Sequence, residues 1–164
     1  MTSITCIARV VTIQYKAINP IFITREEDAM QITRQADYAV RAVLFLARLG
    51  PGQRAATSQV AQEQRIPPSF LAKIISQLSI AGLLHTSRGA RGGVSLARSP
   101  KEISLLDVVE AIDGPILLNE CVGGLGVCTF EEDCPIKPIW VETQEHLATR
   151  LKGTRFDQLI NGQG

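Results

Sequence analysis

Apolar positions along this 164-residue chain fall into blocks of different period. Over residues 33–49, Tyr38, Val40, Ala42, Val43, Leu44, Leu46, Ala47 and Leu49 form a broad stripe at helical spacing, and Gly50-Pro51-Gly52 ends it. Thr57 or Ser58 is placed to cap a short helix running through Val60, Ala61 and Gln64. Ile66-Pro67-Pro68 is a break. Pro68 and Ser69 then open a second helix, with Phe70, Leu71, Ile74, Ile75 and Leu78 at three- and four-residue spacing, stopping near Gly82. The pattern is helix, tight turn, helix.

The period then shortens to that of strands. Residues 83–87 read as one strand, Arg88-Gly-Ala-Arg91-Gly-Gly93 as a turn, and residues 94–98 as the returning strand. A two-stranded hairpin after a helix-turn-helix is a wing, and arginines among glycines at its tip suit a minor groove. Ser104 caps a further helix over residues 105–112, ended by Gly114-Pro115. Residues 138–152 form a long helix with Ile139, Trp140, Thr143, Leu147 and Leu151 on one stripe, more than one small domain needs. It is a candidate dimerisation helix. Residues 1–29 alternate weakly (Ile4, Ile7, Val10, Val11, Ile13) and read as a short strand or a leader. The stretch from Met30 looks like a natural protein start, so a start there, or a dispensable leader, is expected.

The expected fold class is mainly α with a small β-hairpin wing: a winged helix-turn-helix plus a long C-terminal dimerisation helix. The segments are a leader at 1–29, the DNA-binding domain at 30–114, a cysteine loop at 115–135, and the dimerisation helix and tail at 136–164.

Net charge is only +1, but it is unevenly spread. Residues 65–98 hold Arg65, Lys73, Arg88, Arg91 and Arg98 with no acid, whereas residues 101–164 hold five Lys/Arg against eleven Asp/Glu. A basic middle against an acidic end points to one face that meets a polyanion. On the second helix of the pair, Lys73, Ser76 and Gln77 share a polar face. Ser69 is expected to cap that helix and touch phosphate. Ser69 or Gln77 is expected at base edges, with Lys73, Arg88 and Arg91 on phosphate or in the minor groove. The alternative for this face is simple solvation. No apolar run approaches the roughly 20 residues that span a bilayer. No clear signal peptide opens the chain, so no membrane partner and a cytoplasmic setting are expected.

In a reducing setting, clustered thiols serve metals or redox chemistry more often than structural disulfides. Cys121, Cys128 and Cys134 are separated by six and then five residues, with Gly123, Gly124 and Gly126 between the first two. Thiolates so spaced on a flexible loop suit a soft metal or an iron–sulfur cluster. Spacing alone leaves unrelated buried or reactive thiols as the alternative. Cys6 lies in the leader and reads as incidental. Glu131, Glu132 and Asp133 are a solvated acidic run that would lower the potential of a neighbouring cluster.

Taken together these residues resemble the IscR- and NsrR-type iron–sulfur winged-helix regulators of the Rrf-two superfamily. The resemblance covers Met30 to about Ile160. It is carried by Met30-Gln-Ile-Thr33, by Ile66-Pro-Pro-Ser-Phe-Leu-Ala-Lys-Ile-Ile-Ser-Gln-Leu78 through Leu84, by the wing Ser87-Arg-Gly-Ala-Arg-Gly-Gly93, by Leu106-Asp-Val-Val-Glu-Ala-Ile-Asp-Gly114, and by the three cysteines. It implies a homodimer on a double-stranded DNA operator, a helix in each major groove, wings in the minor groove, and a 2Fe-2S or 4Fe-4S cluster near the dimer interface. Two features depart from the pattern. The first cysteine gap is six residues where many members have five. Lys137 stands where some members carry a ligating His. NsrR-like members use an Asp eight residues into the chain, supplied by the partner. Counted from Met30 that position is Asp37, which the resemblance makes the fourth ligand. Its plain alternative is a first-turn acid offsetting the helix dipole. His85 and His146 read as packing or surface residues, with His146 as a fallback ligand.

The function expected is transcriptional regulation in which a cluster senses iron–sulfur status, redox state or nitric oxide. Two competitors stand beside it. One is the same DNA-binding regulator with a structural zinc or thiol–disulfide sensing; the other is a small iron–sulfur redox protein. The chain shows no acid–base or nucleophile constellation and no phosphate loop, so it is not expected to be an enzyme.

Overall fold

Small side chains let α1 (Arg34–Leu49) run close against its neighbours: its buried face is Ala36, Ala39, Ala42, Val43, Leu46 and Ala47. It packs on α2 (Thr57–Gln64), α3 (Pro68–Ile80), α4 (Leu105–Asp113) and α7 (Phe156–Ile160). The computed structural model describes residues 32–87, 89, 92–123, 128–130 and 133–162. The leader, the Met30 start, Cys6, Arg88 and Arg91 therefore lie outside the described residues. Thr33 caps α1: its Oγ1 accepts from the Ala36 N–H at 3.2 Å and donates to Asp113 Oδ1 at 2.7 Å.

The helix-turn-helix forms over the expected residues, with different caps. Ala56, not Thr57 or Ser58, is the N-cap of α2, and Pro67 is the N-cap of α3; neither has a side-chain cap. Ser69 thus lies inside the first turn of α3 and does not cap it. Pro67 supplies extended backbone, Pro68 at the first helical position has no N–H to satisfy, and the Phe70 N–H bonds to the Pro67 carbonyl at 3.0 Å rather than to a side-chain cap. The turn between the helices places Arg65 in the left-handed region (φ 51°), where its N–H reaches the Ala61 and Gln62 carbonyls.

β1 (Leu84–Ser87) and β2 (Gly93–Leu96) pair antiparallel, with Leu84 opposite Leu96 and Ser87 opposite Gly93. Ala55 adds a short third edge through two bonds with Val94, at 3.0 and 2.8 Å. That approach requires glycine at 93, since a Cβ there would lie 2.6 Å from the Ala55 carbonyl oxygen. Ser104 caps α4 as expected, in a reciprocal box with Asp107.

A four-residue helix, α5 (Glu120–Gly123), carries Cys121, and α6 (Lys137–Gly153) is the long helix. The chain after α6 returns to the core rather than trailing as a tail. The Thr154 carbonyl accepts from Leu105 N–H at 2.9 Å, Phe156 N–H donates to the Ile103 carbonyl at 3.2 Å, and Phe156 is fully buried. It joins Leu46, Leu71, Ile74, Leu78, Leu84 and Val108 in the core. Among the described residues no helix is long and apolar enough to cross a membrane.

Phe156→Ala should cost about 3–5 kcal/mol of unfolding free energy, as large-to-small changes at closed core sites do. Urea titration followed by circular dichroism reads this; a loss under about 1 kcal/mol would mean that α7 is not part of the core.

Candidate nucleic-acid face and thiol cleft

Helix α3 buries Leu71, Ile74, Ile75 and Leu78 and turns Ser69, Lys73 and Ser76 outward. These three exposed residues recur at helical spacing on one face, as a groove-reading helix requires. Gln77 differs from them. It is half-buried, and its Oε1 accepts a hydrogen bond from Gln35 Nε2 on α1, so its acceptor is tied to the helix behind. Of the two expected base readers, Ser69 is the one on the open face.

The opening of α3 is braced from α1. The Tyr38 and Phe70 rings meet edge-on at 6.4 Å. Arg41 lies over Tyr38 at 4.8 Å, donates to the Gln64 carbonyl at 3.1 Å, and pairs with Asp37 at 3.0 Å. One guanidinium thereby ties α1 to the last residue of α2, beside the turn that launches α3. Neither Arg41 nor Gln35 was singled out from sequence. Each is a polar residue of α1 outside its apolar stripe, and only the packed helices show what it reaches.

The three cysteines come together as walls of one open cleft of about 490 Å³. All three are half-buried and none is in a disulfide. Asn119, Glu120, Thr129, Phe130, Ile136 and Trp140 complete the lining. Trp140 and Ile136 come from the start of α6, Cys121 from α5, and Cys134 from just before α6. Three reduced thiols with apolar and aromatic walls are a donor set suited to soft metals and iron–sulfur clusters. The donors are not converged: among the described residues no three His, Cys, Asp or Glu side chains lie close enough together to hold a metal ion.

Asp37 does not line this cleft in its own chain. It is exposed on the first turn of α1, where its described partner is Arg41. Neither His85 nor His146 lines the cleft; both are exposed. Helix α6 has no fully buried residue. Its own-chain side is half-buried through Val141, Gln144, Leu147, Ala148 and Leu151, while Ile139 (58 % exposed), Trp140 (38 %) and Thr143 face outward. The five positions read as one stripe therefore divide. Leu147 and Leu151 lean toward their own chain, and Ile139, Trp140 and Thr143, joined by Ile136, remain open.

Comparison with known proteins agrees with this architecture. Residues 32–162 match the Rrf2 family, described as iron-dependent transcriptional regulators. A protein of Mycobacterium tuberculosis (strain H37Rv) named among the HTH-type transcriptional regulators is 42 % identical over 134 residues, covering 81 % of this chain and 83 % of the relative. The HTH-type transcriptional regulator NsrR of Bacillus subtilis is 30 % identical over 134 residues, covering 80 % and 92 %. Among solved structures, the global cysteine regulator CymR of B. subtilis superposes with a TM-score of 0.67 at 22 % identity, over 81 % of this chain and 98 % of that one. T. potens IscR superposes with a TM-score of 0.66 at 20 % identity, over 83 % and 90 %. The chain belongs to the Rrf2 family of DNA-binding transcriptional regulators, winged-helix proteins that are not enzymes.

Proposed function

We propose that this regulator is a sensor whose thiol cleft holds an iron–sulfur cluster through Cys121, Cys128 and Cys134. The carrying observation is that three reduced, half-buried cysteines line one cleft, beside a helix with no fully buried residue. The partner's Asp37 completes the ligand set. A carboxylate is a hard, weak ligand for iron, so Asp37 would be the most weakly held member of the set, and the group would supply reactivity toward nitric oxide or an oxidant there. Such a cluster, when bound, supplies redox and nitrosylation chemistry; the protein's own residues orient it and shield it from water. The iron-dependence in the family description supports the reading.

The homodimer forms through α6, where Ile136, Ile139 and Trp140 are open together. Ser69, Lys73 and Ser76 meet the major groove, with Gln77 at the edge of that face. Arg88 and Arg91 meet the minor groove from the wing. A second reading keeps the DNA-binding regulator but assigns the same cysteines to thiol–disulfide sensing or to a structural zinc. The three thiols are not converged among the described residues, which within this reading favours thiol–disulfide sensing over zinc, whose tetrahedral site needs its ligands together.

Anaerobically purified protein should absorb in the visible and contain iron and sulfide. Cys128→Ser should lose both, and Asp37→Ala should change the spectrum or hasten its bleaching by oxygen. Colourless wild-type protein with bound zinc, or with a disulfide, would establish the second reading. An unaltered spectrum and bleaching rate in Asp37→Ala would remove that residue from the ligand set.

Lys73→Ala and Arg88→Ala should each weaken binding to a mixed-sequence duplex. Each should reduce the slope of log K against log salt by roughly 0.9, the value for one phosphate contact. Fluorescence anisotropy at several salt concentrations reads this, and an unchanged slope counts against the residue concerned. Trp140→Glu should raise the dimer dissociation constant on the order of tenfold or more, as removal of a central aromatic anchor does. Sedimentation velocity over a dilution series measures it, and an unchanged dimer would place the interface elsewhere.

A further inference from the structure

One glutamine amide ties the beginning of the cysteine segment to the long helix. Gln144 lies mid-way along α6, on its half-buried side. Its Oε1 accepts from the Leu118 N–H at 2.9 Å, and its Nε2 donates to the Ile116 carbonyl. Donor and acceptor of the same amide thus grip the backbone on either side of Leu117, as a neighbouring strand would. The gripped segment then leads directly into α5, which carries Cys121. Leu117 folds over that helix: a Cβ at Gly123 would lie 2.7 Å from its Cδ1. Val122 N–H closes the turn onto the Asn119 carbonyl at 3.1 Å. Residues 116–123 are one folded piece hung from Gln144.

We propose that Gln144 is a positioning residue of the thiol cleft, setting where Cys121 stands relative to Cys134. Cys134 needs no such device, because it precedes the α6 N-cap, Ile136, by two residues and is referenced to the helix through the chain. Cys121 lies much further from α6 along the chain, so its register depends on the contact of α5 with α6 and on side-chain bonds. The two amide bonds supply that register without touching the thiol. The inference rests on the cleft being the sensing site. Its geometric content, the hold on Cys121, is testable in metal-free protein.

The test compares wild type with Gln144→Met, which keeps length and loses both bonds, and with Gln144→Glu, which keeps the acceptor for Leu118 N–H. In apo protein, amide exchange at Leu118 should quicken by about tenfold in Gln144→Met, the effect of one hydrogen bond's net stabilisation. It should stay within about threefold of wild type in Gln144→Glu. Alkylation of Cys121 by iodoacetamide, followed by peptide mass spectrometry, should change several-fold in Gln144→Met while Cys134 is unaltered. Anaerobic reconstitution should give Gln144→Met a shifted visible spectrum, partly restored in Gln144→Glu. Unchanged Leu118 exchange and Cys121 reactivity in Gln144→Met would overturn the proposal. So would equal changes at Cys134 and in α4 amides, which would mark general loosening. If Gln144→Met does not fold, Gln144→Ala takes its place with the same readings: quickened Leu118 exchange and altered Cys121 alkylation with Cys134 unchanged support the hold, and wild-type values for both overturn it. If wild type takes up no iron, the cluster reading fails, while exchange and alkylation still judge the role of Gln144.

Discussion

A helix of seventeen residues with none fully buried is held only in part by its own packing. Helices of that length are marginal in water, and tertiary contacts supply most of their stability in proteins. Beside its half-buried contacts with α4 and α5, what anchors the end of α6 is the chain that follows it. Phe156 sits in the core at 0 % exposure, and the backbone bonds of Thr154 and Phe156 to Leu105 and Ile103 fasten the C-terminal end. Full burial of such a side chain contributes about 1.5–3 kcal/mol by area alone. The same junction borders the Ser104–Asp107 capping box. The start of α4 and the end of α6 are therefore set by one knot, and α6 is free to leave its outer face uncovered.

That arrangement explains what could be read from sequence and what could not. Helices α1, α3, α4 and α6 have enough turns for their apolar period to show, and Gly50-Pro51, Pro67-Pro68 and Gly114-Pro115 bracket them. The hairpin followed from strand–glycine–strand patterning. Phe156 was missed because α7 is a five-residue helix, too short for any period to emerge. The caps of α2 and α3 were misassigned because Thr57, Ser58 and Ser69 are good cap residues standing one or two positions too late. Local propensity names the residue type, whereas the backbone entering the helix decides the position. The long helix α6 was legible, but the division of its five stripe positions between own chain and solvent depends on where α4 and α5 lie. For the same reason the cysteines were legible as a group while Gln35, Arg41 and Gln144 were not. Each of these acts through a hydrogen bond to an element distant in sequence.

The braces form a physical sequence from cleft to DNA face. Gln144 holds the cysteine segment to α6, α6 packs on α4, and α4 packs on α1 and α3. Thr33 is clamped to Asp113 at the far end of α4, so the N-terminus of α1 moves with α4. Tyr38 and Arg41, within the next turns of α1, support the opening of α3 through Phe70 and Gln64. On the proposed reading, a coupling of about 1–3 kcal/mol between the cleft and DNA binding is ample for regulation. Packed helices with hydrogen-bonded joints can carry it, because interiors are close-packed and do not deform smoothly.

Trp140 joins the thiol cleft to the outward face of α6. It lines the thiol cleft, yet it also lies on the outward stripe with Ile136 and Ile139. A single indole cannot be repacked on one side without altering the other, since core-like contacts are lost over shifts well under 1 Å. On the proposed reading, a second copy laid over the stripe closes one wall of the cleft, and a change inside the cleft shifts the surface on which that copy rests. The Asp37–Arg41 pair lies on α1, outside the cleft of its own chain, and offers a carboxylate at an exposed helix start. A ligand drawn from that position has to come from a partner. On that reading, dimer contact and completion of the thiol site are one event, and the exposed face of α6 is part of the proposed sensor rather than an unfinished core.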